Sequence, residues 1–295
     1  MIISDTGNLK NDISQFIQEK RSNVLVKFVN FCNVNFFAPL HVKLRVLDTC
    51  VASSLSYGSE TWANFGDEIE TIYRCGLREA LGIRPNTNNE IVYVESQRFP
   101  VRCRIARQQL KFWLVVDEYV NNNPNSALRH FLDIALQINL PYIEHYKRLH
   151  RNYDSPMKCL DAYKKMFKDR WKLKFDRACA DVDSKLATYQ QVNPTLSEPP
   201  YLNKILIETD RILLTRFRCG SHSLLIETGR FVNIPRNDRV CLCGTGVQNI
   251  LHCFSVCPLT LPLLTKRYMN LKEVFDDENI CDLLHAVCKT LKIKI

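Results

Sequence analysis

Apolar residues recur along most of this chain at the three-to-four spacing of helices. Asn8–Cys32 carries Ile13, Phe16, Ile17, Val24, Leu25, Phe28, Val29 and Cys32 on one stripe, with polar and charged residues between them, which predicts an amphipathic helix. After a break at Asn33–Phe37, Pro39 suits the first turn of a second helix with Leu44, Leu47, Val51 and Leu55 on its stripe. A third helix is predicted from Asp67, placed to cap it, to Leu81, with Gly82 ending it. Arg84–Asn89 is a polar loop, and Glu90–Glu95 fits either a short strand or a helical turn. Pro100 opens a long helix through Trp113 to about Tyr119. Beyond the polar turn Asn121–Asn125, shorter helices are predicted near Ser126–Leu136 and Pro141–His150. A long basic helix follows from Pro156 to Tyr189. The three prolines of Asn193–Pro200 mark a linker. Tyr201–Cys219 is again helical, with Gly220 at its end, and the last stretch holds two short helices beside a cysteine cluster.

The pattern predicts a mainly α fold in three segments, 1–120, 121–200 and 201–295. Composition agrees: only 9 of 295 residues are Gly, and helices tolerate Gly poorly. No apolar run approaches the roughly 20 residues that span a bilayer, so no membrane association is expected. Met1–Lys10 lacks the basic-then-apolar order of a signal peptide. The chain holds 13 cysteines, an odd number and mostly scattered singly. That usage fits small core hydrophobes in a reducing, intracellular compartment better than a disulfide scaffold. Net charge is +9, and it is clustered: Lys147–Arg177 holds 11 basic and 4 acidic residues, and Tyr201–Val240 holds 7 and 4. Such clustering points to a polyanionic partner, with Lys165, Lys168 and Lys172 the candidate contacts on the long helix.

One cluster carries chemistry. Cys241 and Cys243 are followed after eight residues by His252 and after four more by Cys257. Three soft thiolates and an imidazole suit tetrahedral zinc in a closed, structural site. Gly244 and Gly246 let the chain fold tightly beside the first pair. The C-x-C spacing is tighter than usual, and Cys253 is an alternative ligand. Arg216, Arg218, Arg230, Arg236 and Arg239 flank the cluster, each offering a planar fork of donors that fits phosphate oxygens. Phe217, Phe231 and Phe254 can stack on bases, although core packing is the better reading of each.

These residues also carry a resemblance. Arg216-Phe217-Arg218-Cys219-Gly220-Ser221-His222, Gly229-Arg230, Arg239 to Gly244, His252 and Cys257-Pro258 resemble the C-terminal zinc-knuckle segment of reverse transcriptases from LINE-type, non-LTR retrotransposons. Ala38-Pro39-Leu40, Val42-Lys43, Leu47 and Ser56 to Trp62 resemble the thumb of the same enzymes, and Asp5–Gly7 with Asp12-Ile13 resemble the segment before it. The resemblance implies a helical thumb, a helical connector and a C-terminal zinc module that together grip RNA or an RNA–DNA hybrid. Carried over position by position, it makes Cys241, Cys243, His252 and Cys257 the metal ligands. Arg216, Arg218, Arg230 and Arg239 become the basic positions. His222 stands in the pattern without an evident role.

Catalytic groups are missing from this reading. A polymerase palm holds two metals through carboxylates, usually on an aromatic-x-Asp-Asp hairpin. Phe275-Asp276-Asp277 lies after the knuckle with no strand pattern around it. No G-x-S-x-G, phosphate-binding Gly loop or H-E-x-x-H is present. The chain therefore reads as a non-catalytic, nucleic-acid-binding piece of a larger enzyme. A protein-interaction module or an inert remnant of a retroelement is the alternative.

Overall fold

The structure, a computed structural model, describes residues 15, 18, 19, 21–59, 67–137, 141–181, 184–203 and 207–293. Asp5–Gly7, Asp12, Ile13 and Glu60–Trp62, which carry part of the resemblance, lie outside the described residues. The fold is mainly α, as the sequence predicts. Among the described residues there is no β-strand, only one isolated antiparallel bridge between Val240 and Val247. The helices are α1 (Val26–Val34), α2 (Leu40–Val46), α3 (Ala52–Leu55), α4 (Glu68–Leu81), α5 (Asn89–Ser96), α6 (Val101–Asn122), α7 (Ala127–Gln137), α8 (Pro141–Asn152), α9 (Pro156–Ala178), α10 (Lys185–Val192), α11 (Glu208–Arg218), α12 (Leu225–Phe231), α13 (Ile250–Ser255), α14 (Leu271–Phe275) and α15 (Ile280–Thr290).

Three elements refine the sequence expectations. Glu90–Glu95 is helical: it lies within α5, whose N-terminus the Asn88 side chain caps by accepting from Glu90 N–H at 2.9 Å. Its run from Ile91 to Ser96 is buried on every face, so of the two readings the sequence leaves open, strand or helical turn, the stretch takes the helical one as a fully enclosed helix. The long basic helix stops at Ala178, where a polar turn closed by Ser184 N–H on Asp181 O separates it from α10. Asp and Ser there compete for backbone hydrogen bonds and favour the turn. The Pro-rich linker is a closed loop. The Asn193 side chain accepts from Ser197 N–H at 3.2 Å and donates to Ser197 O at 2.9 Å.

The chain forms two compact units, each assembled from separated stretches. The first comprises Met1–Phe31, Arg45–Gly76 and Phe99–Arg170; the second comprises Cys32–Leu44, Leu77–Arg98 and Trp171–Ile295. In the first unit, Ala106 and Leu110 of α6 pack with Leu149 and Cys159, and Trp113 stacks on Tyr146 at 5.5 Å. The buried Glu70 carboxylate accepts the first free N–H groups of α6, from Val101 at 3.2 Å and Arg102 at 2.8 Å. A carboxylate at that end offsets the partial positive charge of the helix.

The second unit holds the larger core, which includes Phe217, Leu224, Cys253, Phe254, Tyr268, Val274, Leu284 and Val287. Within it, α11 makes many of the long-range polar contacts. Arg211 forms a two-pronged pair with Glu208, and its remaining donors reach the carbonyls of Ala80 and Leu81 at the end of α4. Lys43 closes the buried triad on Glu208. Gly82 follows α4 at φ +69°, and a Cβ there would stand 2.7 Å from Ile212. Both facts make Gly the residue this crossing requires.

Candidate metal centre and the basic residues around it

A short reversal of the backbone builds the first half of the centre. Cys241 N–H donates to Gly246 O and Gln248 N–H to Arg239 O, each at 2.8 Å, around the Val240–Val247 bridge. Gly244 takes φ +74° and donates to Cys241 O at 2.8 Å. Gly246 lies against the imidazole, where a Cβ would approach His252 Nδ1 to 3.2 Å. The second half comes from α13. The Asn249 side chain caps that helix by accepting from His252 N–H at 2.8 Å. Cys257 returns just beyond, its N–H on His252 O at 3.0 Å.

The ligating atoms of Cys241, Cys243, His252 and Cys257 all lie within 4.8 Å of one another. Cys241 Sγ and Cys257 Sγ are 3.8 Å apart, and Cys243 Sγ is 3.2 Å from His252 Nε2. A tetrahedron with metal–sulfur bonds of ~2.3 Å has S···S edges of roughly 3.8 Å, so the sulfur pair already stands at the required separation. Cys241, His252 and Cys257 are buried and Cys243 half-buried. The four together can hold one metal ion. Four protein donors complete a tetrahedral set and leave no position for a substrate.

Burial pushes the Cys241 thiol up to about 11, although the Cys243 backbone N–H works against it. Cys243 moves the other way, down to about 6: burial opposes the shift, but hydrogen bonds from the Thr245 hydroxyl and backbone, from His252 and from Cys241 outweigh it. Cys253, the alternative ligand, is not in the cluster; it is fully enclosed in the core beside Phe254. All thirteen cysteines are free thiols.

The arginines divide sharply. Arg218 and Arg239 are corrected from phosphate ligands to internal residues. Arg218 is buried, with Nε 2.8 Å from Glu95 Oε1 and its ring of neighbours completed by Tyr201 and Phe275. Burial opposes its charge, but Glu95 holds the guanidinium protonated. Arg239 is buried over Gly229 and donates to the carbonyls of Ile234 at 2.9 Å and Ile226 at 3.0 Å. Both satisfy polar atoms of the fold and are largely shielded from solvent.

Arg216 is half-buried, with Nε on Gly82 O at 2.8 Å. Arg230 is half-buried, donates to Ile226 O and stands 3.6 Å from Glu227. Arg236 is half-buried in a short 3-10 turn. Lys165, Lys168 and Lys172 are exposed on α9, and their spacing of three and four places them on one face. Lys168 also lies 5.7 Å over the Phe99 ring. Among the aromatics, Phe217 and Phe254 are core residues and Phe231 is exposed, which departs from its expected burial. The Phe275-Asp276-Asp277 stretch is occupied by the fold: Phe275 is buried and Asp277 accepts from Tyr268 and Lys266.

His222 has a structural explanation. It is buried against Phe217, with ring centroids 4.7 Å apart, and Nδ1 accepts from Leu224 N–H at 3.3 Å. Burial, followed by Lys185, Arg84 and Arg230, pushes its pKa down to about 3. The unfolded imidazole, near 6.5, takes a proton that the folded one refuses. Stability is therefore fully present above about 6.5 and declines as pH falls towards 3, by up to about 1.4 kcal/mol per unit. Urea midpoints measured between pH 7 and 4 are expected to fall more steeply in the wild type than in His222→Gln.

Sequence reasoning missed the residues that organise this region: Glu95, Glu208, Lys43 and Arg211. Nothing in the neighbouring sequence marks them as buried; only their partners in the fold show why they are. Comparison of the chain with protein-family models, with curated proteins and with solved structures finds no match.

Proposed function

We propose that this chain is the non-catalytic, nucleic-acid-binding part of a protein related to non-LTR reverse transcriptases, gripping RNA or an RNA–DNA hybrid by its phosphates. The supporting observation is the exposed cationic face of α9, Lys165, Lys168 and Lys172, which is free of a carboxylate within ion-pair distance among the described residues. Half-buried Arg216 of α11 is a separate candidate contact. The metal in the Cys3His cluster is zinc, because three thiolates and one imidazole in a tetrahedral set match its preference for soft and borderline donors. Its role is structural.

Fluorescence anisotropy with a labelled single-stranded RNA across a salt series tests the proposal. Each phosphate neutralised contributes roughly −0.7 to the slope of log K against log salt. Replacing Lys165, Lys168 and Lys172 together by Gln is expected to make the slope shallower by about 2. An unchanged slope would remove the α9 face from the contact set. Arg239→Ala is expected to alter stability and leave the slope alone.

A second reading has its own observation. Phe112, Val115 and Tyr119 are exposed on α6 at helical spacing, and Phe131 and Ile134 are exposed on α7. Exposed apolar faces of that kind mark protein contacts. A protein-interaction module would show weak, salt-insensitive RNA binding and a defined complex that Val115→Asp disrupts.

A further inference from the structure

The loop after α4 and the turn after α11 are stitched together. Arg216 Nε donates to Gly82 O at 2.8 Å. Two residues further on, Arg84 N–H donates to Ser221 Oγ at 2.8 Å and its Nη2 to Ser223 Oγ at 2.7 Å. Ser221 N–H turns back to Arg216 O at 2.7 Å. Two guanidinium groups are thereby anchored on one seam of the second unit.

The seam has a surplus of charge. Among the described residues, no carboxylate stands within ion-pair distance of Arg84 or Arg216. Burial and the Arg84 charge both press the Arg216 pKa down, so the two cations oppose each other. Lys185 and Arg230, whose charges also reach His222, share the single carboxylate Glu227.

It has a surplus of donors as well. The hydroxyls of Ser221 and Ser223 each accept from Arg84, and neither proton has an acceptor among the described residues. The two Nη groups of Arg216 and the Nε and Nη1 of Arg84 also point at no protein acceptor among them. Ser221 is buried, whereas both arginines are part exposed, so an incoming group can reach the guanidinium edges. Two cations and two hydroxyl donors lacking acceptors match the needs of a tetrahedral oxyanion, which accepts several charge-assisted hydrogen bonds at once.

We propose that Arg84, Arg216, Ser221 and Ser223 form a phosphate site that holds one phosphodiester of a single-stranded nucleic acid. The identity of that occupant rests on the function proposed above; the oxyanion chemistry rests on the seam alone. Arg84 and the two serines are thereby added to the contact set, and Arg216 acquires a defined place in it.

The test uses the full, metal-loaded chain. Inorganic phosphate is titrated at constant ionic strength while the thermal midpoint is followed, and labelled single-stranded RNA is titrated across a salt series. Wild type is compared with Arg84→Gln and Ser223→Ala, and midpoints without phosphate control for folding. The wild-type midpoint is expected to rise with phosphate and the rise to vanish in Arg84→Gln. For RNA, Arg84→Gln should weaken binding about tenfold at 0.1 M salt and make the salt slope shallower by about 0.7. Ser223→Ala removes a donor and no charge, so it should weaken binding a few-fold with the slope unchanged. No phosphate response in the wild type overturns the site. A phosphate response with an RNA slope that ignores Arg84→Gln overturns the phosphodiester as occupant. Failure of the wild type to bind RNA, with the Arg84-dependent phosphate response intact, overturns that occupant together with the proposed function and leaves only a site for a free oxyanion.

Discussion

Removing the metal is expected to unfold the region from Arg239 to Cys257 and to loosen the core beneath it. Without the ion, four ligating groups are packed within 4.8 Å of one another, and the reversal that carries the first two is closed by Cys241 N–H on Gly246 O and Gln248 N–H on Arg239 O. In small zinc-folded domains the ion supplies about 10–16 kcal/mol of apparent binding free energy, which is also folding free energy. Here α13 is braced by the core through Cys253 and Phe254, so the collapse should be local. Metal analysis is expected to find one ion per chain in the wild type and none retained in Cys257→Ala. Hydrogen exchange of the amides of Cys241, Gly244, Gln248 and Cys257 should accelerate by several orders of magnitude on chelation. Cys253→Ala provides the contrast: it should keep the ion and cost about 1–2 kcal/mol as a core truncation. Equal metal loss in both variants would mean that the ligand set is misassigned.

Replacing Glu95 by Ala is expected to destabilise the second unit by about 3–5 kcal/mol. The carboxylate is fully buried and accepts from Arg218 Nε at 2.8 Å, Tyr189 OH at 2.6 Å and Tyr201 OH at 2.7 Å. Thr215 extends the network by donating to the Tyr201 oxygen at 3.0 Å. Burial, and after it the Glu95 charge, drives both tyrosine hydroxyls well above their ordinary range, which keeps them as donors. Truncation leaves a buried guanidinium with no counter-charge and two hydroxyls with no acceptor. The net worth of the intact pair is smaller than this loss, because both charges were taken out of water to form it. A double-mutant cycle separates the two quantities. Glu95→Met with Arg218→Met should recover a large part of what Glu95→Ala alone loses, read from urea midpoints. A single-mutant cost below about 1 kcal/mol would show that water reaches the network.

Where local chemistry decides the structure, the sequence displayed it. Gly82 and Gly220 end their helices at positive φ, +69° and +59°, because those turns reject a Cβ. The candidate metal set was legible in the spacing, but the choice between Cys253 and the other cysteines was not: only the fold gathers Cys241, Cys243, His252 and Cys257 within 4.8 Å and turns Cys253 into the core. The arginines were opaque for the opposite reason. Arg218 and Arg216 sit two apart in one basic block, yet one closes on a carboxylate 123 positions away and the other is anchored beside Arg84. Charge is visible in a sequence, but desolvation depends on partners that only the fold supplies. Glu95 ends an apolar run and reads as its polar edge, whereas Tyr189, Tyr201 and Arg218 turn it inward.

The reach of α11 has a consequence for how this chain can be divided. Its arginines take their acceptors from Ala80, Leu81, Gly82 and Glu95, all more than 120 positions upstream. A fragment started at the Pro-rich loop would carry the whole Cys3His cluster, yet leave Arg216 and Arg218 without their acceptors and Arg211 with Glu208 alone. Its helices would be intact on paper and unmoored in practice. The smallest portable piece of the second unit is therefore discontinuous, and a graft of the metal centre into another protein must carry the stretch from Leu77 to Arg98 as its other half.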